Sequence, residues 1–146
     1  MGQIQTSIVI QRPRQVVFDF LLDLEHAIGI DPDIQSIEKT SDGPTGTGTE
    51  FAVRQRVPPF GRMSDGISKF TAVDPPETII IEAELGPIRP TGRFEFKDAD
   101  GGTLVSVSVD PNAVGIFRAL SPLIARRARR LWEKRLRRMK RILESR

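Results

Sequence analysis

Residues 120–143 read LSPLIARRARRLWEKRLRRMKRIL, and the order of apolar and basic residues in that stretch decides the fold. Set at about 100° per residue, Leu120, Ile124, Ala128, Leu131, Trp132, Leu136, Met139, Ile142 and Leu143 share one half of a helix. Arg126, Arg129, Arg130, Lys134, Arg137, Lys140 and Arg141 take the other half. Ser121 and Pro122 supply an N-cap and a first-turn proline, so a helix is predicted from Pro122 to Leu143, about 33 Å long at 1.5 Å per residue. Residues 113–120 read as a separate turn or kinked lead-in. A helix with so complete an apolar stripe needs an apolar surface to lie on.

That surface lies upstream. Gln3 to Gln11 alternates Ile4, Thr6, Ile8 and Ile10 against Gln5, Ser7 and Val9, the period of a strand. Pro13 then opens a short helical pattern through Val16, Val17, Phe20, Leu21 and Leu24, with a second short helix within 23–28 and a break at 29–32. Six further strands follow: 34–40, 49–57, 63–73, 78–85, 92–97 and 103–109. Pro58-Pro59, Pro75-Pro76 and Gly86-Pro87 mark loops, since proline removes a ladder donor. Asp100-Gly101-Gly102 marks a tight hairpin. Alternation in these strands gives the sheet one covered face and one wet face, as in antiparallel sheets. The expected fold is therefore α+β: a seven-stranded curved antiparallel sheet wrapped around a long C-terminal helix, forming one domain over residues 1–146.

Arg135 breaks the helical pattern. It lies inside the apolar sector, where a cation is costly unless it is paired or snorkels to an edge. Asp65, Glu82 and Glu84 are the candidate partners, and a ligand anion is the alternative.

Composition narrows the function classes. The 146 residues hold 38% hydrophobic and 28% charged side chains, the balance of a folded, soluble chain. There is no cysteine, which removes disulfides, thiolate nucleophiles and cysteine-bound metal. Met1-Gly2-Gln3 with Thr6 imitates an acylation opening, but acylation is not expected. With no leader pattern and no long apolar run, a cytoplasmic protein is expected. The net charge of +3 is divided unevenly: residues 118–146 carry twelve Lys/Arg against Glu133 and Glu144, so residues 1–117 carry −7. Gly46-x-Gly48 lacks the third glycine of a dinucleotide loop and opens no helix. His26 is the single histidine, and no spacing of carboxylates around it suits a metal. No metal and no cofactor are expected.

The segments IVIQRPRQVVFDFLLDLEH (8–26), GPTGTGTEF (43–51), TAVDPPETIII (71–81), RFEFKDADGGTLVSVSVD (93–110) and GIFRALSPLIARRARRLWEKRLRRMKRILE (115–144) together resemble the START-like superfamily. That group includes polyketide cyclase/dehydrase, lipid-transfer and birch-pollen-allergen proteins, and the resemblance spans nearly the whole chain. It implies a helix-grip fold, with two short helices after the first strand and a ligand cavity between sheet and helix. The polar cavity residues of aromatic polyketide cyclases are poorly matched. The chain has no tyrosine, and Leu24-Glu25-His26-Ala27-Ile28 stands where bacterial cyclases carry a Trp-x-His-Thr stretch. Gly29-Ile30-Asp31-Pro32 replaces their proline-tryptophan.

The expected ligand-binding residues are Phe51, Val53, Ile67, Ile81, Phe94 and Phe96 from the sheet, and Trp132, Leu136 and Met139 from the helix. Gln55, Asp65, Arg93 and Arg135 are the expected polar anchors. His26 and Arg135 are the candidates for catalysis, set against a surface histidine and a structural ion pair. The first functional reading is a protein that binds a small hydrophobic molecule of lipid, isoprenoid or polyketide type. A polyketide cyclase or dehydratase is the second. The third is an interaction protein that uses the basic helix face on an acidic partner or an anionic membrane. Nucleic acid is not expected, because the charge comes with no aromatic stacking platform. The chain is expected to be a monomer or a weak dimer.

Overall fold

A computed structural model describes residues 3–27, 31–57 and 59–146, except for the side chain of Ala27. Met1 and Gly2 of the acylation-like opening, Ile28 to Ile30 at the expected break, and Pro58 lie outside them. The alternating segments form β1 (Ile4–Ile10), β2 (Ile34–Lys39), β3 (Glu50–Val57), β4 (Arg62–Asp74), β5 (Thr78–Leu85), β6 (Thr91–Ala99) and β7 (Gly102–Asp110). All neighbours are antiparallel, in the order β1-β7-β6-β5-β4-β3-β2. Two short helices, α1 (Arg14–Leu22) and α2 (Leu24–Ala27), follow β1, and α3 (Ser121–Glu144) follows a 3-10 turn at Gly115–Leu120. The molecule is an α+β helix-grip protein.

Local chemistry fixes several of these boundaries. Asp100 and Gly101 form a two-residue turn with φ of 42° and 81°, and Ala99 pairs with Gly102 across it. Positive φ at both central positions suits the twist of a hairpin, and Asp and Gly tolerate it. Ser121 was the expected N-cap, but it is the first helical residue. Its hydroxyl donates to Arg118 O at 2.7 Å, and Leu120 stands before the helix.

One face of the sheet is apolar and buried. Phe51, Val53 and Val57 of β3, Phe94 and Phe96 of β6, and Val105, Val107 and Val109 of β7 all point inward. Phe18 of α1 meets Phe96 edge-on at 5.2 Å, and Phe51 meets Phe70 at 5.3 Å. From α3, Ile124, Ala128, Leu136, Met139 and Leu143 complete the core.

Two irregularities fall on β4. An added Cβ on Gly66 would fall on the Glu84 carbonyl oxygen of β5, and the β4–β5 register shifts between Phe70 and Ala72. A glycine and a bulge in one strand are the devices that curve a sheet.

α3 runs alongside β1 in the same direction. Arg129 donates to Gln5 O at 3.1 Å, Lys140 donates to Val9 O at 2.7 Å, and Arg12 donates to Leu143 O at 2.8 Å. Two cations of the basic face therefore satisfy carbonyls on a free sheet edge, a place where exposed pairing groups invite another strand. No helix among the described residues is long and apolar enough to cross a membrane.

Candidate functional site

Small residues on the inner face leave a space beneath α3. Ser68 of β4, Ala83 of β5, Gly92 of β6 and Ala128 of α3 all border it, and none carries enough bulk to fill the gap. Phe94 and Trp132 form its aromatic side, edge to face at 5.2 Å. The cavity measures about 90 Å³ and is largely apolar, with Gln55, Ser68 and Arg135 as its polar groups. An apolar void of about 150 Å³ holds a benzene, so a larger guest has to push the wall outward. The half-buried Ile81, Ala83, Leu131 and Trp132 form the part of the wall with least packing behind it.

The electrostatics centre on Arg135, which is only 4% exposed. Its Nε donates to Asp31 Oδ2 at 2.8 Å, and Asp31 is equally buried. The other carboxylate oxygen of Asp31 accepts from the Asp33 N–H at 2.9 Å and lies 3.8 Å from Arg138. Burial alone would raise the Asp31 pKa. The Arg135 and Asp33 hydrogen bonds, with the two guanidinium charges, outweigh it and hold the carboxyl below its ordinary value. Burial lowers the Arg135 pKa, and Asp31 opposes that shift. The guanidinium also lies over the Trp132 ring, 4.9 Å from its centroid. Arg135 Nη2 is buried without a hydrogen-bond acceptor among the described residues.

Of the residues expected to bind a ligand, Gln55, Ile81, Phe94, Trp132 and Arg135 border this cavity. Phe51, Val53, Phe96, Leu136 and Met139 are buried in the close-packed core and do not line it. Three expectations fail on strand parity. Arg93 alternates with the inward Gly92 and Phe94, so it faces out and meets Glu95 at 3.5 Å. Asp65 and Ile67 alternate with the inward Ser68 and Phe70: Asp65 pairs with Arg54 at 3.0 Å outside, and Ile67 is 51% exposed. Glu82 and Glu84 are exposed as well, so the expected partners of Arg135 give way to Asp31. His26 is exposed, bonded to Asp23 at 2.7 Å, and is not among the residues that border the cavity. Sequence reasoning missed Asp31, Leu24 and the small wall residues. The one legible signal was the misplaced Arg135, which demanded a carboxylate somewhere.

A second, open depression of about 580 Å³ lies at the end of the sheet, behind the β5–β6 turn. Phe60 and Ile116 stand at its rim, 65% and 84% exposed. Among the described residues no group of three metal-ligating side chains is placed to hold an ion. On α3, Arg126, Arg127, Arg130, Lys134, Arg137 and Arg141 remain exposed to solvent.

Comparison with known proteins agrees with this architecture. Ara h 8.0201 superposes with a TM-score of 0.74 at 19% identity, covering 99% of this chain and 98% of its own. A START superfamily protein from Mycobacterium smegmatis gives 0.75 at 13% identity, covering 96% and 98%. A conserved protein from Geobacillus kaustophilus gives 0.78 at 14% identity, covering 98% and 95%. At these identities the likeness concerns the fold. No curated protein matches the chain. The sequence matches one family over residues 1–144, and the chain thus belongs to the polyketide cyclase / dehydrase and lipid transport family.

Proposed function

We propose that the chain is a binding protein that takes a small hydrophobic molecule between the sheet and α3. The observation that carries this reading is the apolar cavity whose wall is built from Ser68, Ala83, Gly92 and Ala128 where larger residues would close the core. Mostly apolar lining with a few convergent polar groups is the usual make-up of a small-molecule site. The cyclase alternative requires a proton-transfer group against the guest. Arg135 is the one ionisable side chain among the described residues that border the cavity, and a guanidinium keeps its proton. His26 stands outside. These positions favour binding over catalysis.

The test is a thermal-shift panel of fatty acids, quinones and flavonoids, run beside an Ala128→Leu variant. A ligand at a hundred times its Kd should stabilise the protein by about 2.7 kcal/mol. Ala128 is 7% exposed at the cavity wall, and leucine there fills the space while keeping a strong helix former. The variant is expected to stay folded and lose the ligand-induced rise in Tm. No rise with any panel member, or equal rises in both proteins, contradicts the reading.

A further inference from the structure

We propose that the guest is an amphiphile with one carboxylate, held by Arg135 while its apolar body lies along Phe94 and Trp132. The proposal rests on the binding reading above and adds the chemistry of the ligand's polar end. Arg135 sits in the apolar sector of α3 and borders the cavity, yet its own chain uses only part of its donor fork. Nε is taken by Asp31, whereas Nη2 is buried without an acceptor among the described residues. Such a donor is costly to leave unmade, and an acceptor supplied by the guest recovers that cost.

The sign of the charge follows from the neighbours. Asp31 shares its single negative charge between Arg135 and Arg138, and it already accepts from the Asp33 N–H. Asp33 is half-buried: its backbone N–H bonds Asp31, and its carboxylate acts on Arg135 only through space. Asp31 is the one carboxylate hydrogen-bonded to Arg135, and it engages Nε, which leaves Nη2 for an anion brought by the guest. A planar carboxylate matches the flat guanidinium fork, whereas a cationic head would meet two like charges. The remaining polar lining, Gln55 and Ser68, is neutral, so Arg135 is the group that selects the head.

Trp132, the chain's only tryptophan, touches both the cavity and Arg135, so its fluorescence reports on the site directly. The full chain is titrated with octanoate, 1-octanol and octylammonium, which share one tail. Octanoate is expected to bind about tenfold or more tighter than octanol, as a charge-assisted hydrogen bond allows, with octylammonium weakest. Nitrogen-15 signals of the Arg135 side chain should shift with octanoate and stay in place with octanol. An Asp31→Asn, Arg135→Gln double variant removes both buried charges together and should bind octanoate and octanol alike. Equal binding of octanoate and octanol to the unaltered protein, or tightest binding of octylammonium, overturns the carboxylate proposal and leaves the apolar cavity standing. Failure of all three tails to bind overturns the binding reading, and this proposal with it.

Discussion

Asp31→Ala is expected to lower the unfolding free energy by about 3–5 kcal/mol, because it strands a buried guanidinium. Asp31 and Arg135 are each 4% exposed and 2.8 Å apart. Their mutual attraction offsets the large cost of taking both charges out of water. Removing one leaves that cost uncompensated. Replacing both, with Asp31→Leu and Arg135→Met, should recover most of the loss, since apolar residues of similar volume often match a buried pair. Chemical denaturation of the single and double variants checks this: two additive losses would mean that the residues are not coupled. The pair also sets an acid limit. The folded-state pKa of Asp31 is held below its ordinary value of 3.8, so its contribution is complete above that pH and is lost as pH falls through the folded value. The stability gap between the unaltered protein and Asp31→Ala should therefore narrow below about pH 4.

Gly66→Ala is expected to cost about 3 kcal/mol or to prevent folding, a large effect for one methyl group. The added carbon would meet the Glu84 carbonyl oxygen and a Leu85 methyl, and a carbonyl within a strand ladder has no rotamer by which to move away. The ladder has to separate at Gly66. Thermal unfolding checks it: Gly43→Ala, at an open turn with positive φ and no neighbour within 4 Å, serves as the comparison. An alanine at 66 that costs no more than one at 43 would show that the close approach of β4 and β5 does not exist.

The parts of this structure that repeat were legible in the sequence. The stripe from Leu120 to Leu143 and the period-two segments gave the long helix and all seven strands within a few residues, because burial of one face enforces those periods. Asp100-Gly101 announced its hairpin through backbone chemistry alone. Arg135 stood out as a cation among apolar neighbours. Its partner did not, since Asp31 falls within the expected break at 29–32, where no period operates. The cavity was unreadable for a different reason: it is made by what Gly92, Ala83 and Ala128 lack, and small residues leave no pattern. On β4 Ile67 is apolar yet alternates with the inward Ser68 and Phe70, so residue type alone pointed it to the wrong face. The basic face reads as a surface for an acidic partner or a membrane, yet Arg129 and Lys140 bond to the β1 edge, a contact that joins residues more than a hundred positions apart.

Methyl NMR with the same ligand panel reads whether a guest enters between the sheet and α3. Ile81, Leu85, Ile88 and Val109, which border the inner cavity, should shift on ligand addition. Ile67 on the outer face and Ile116 at the end depression should hold their positions. Shifts confined to Ile116 and its neighbours, with the inner methyls silent, would contradict it.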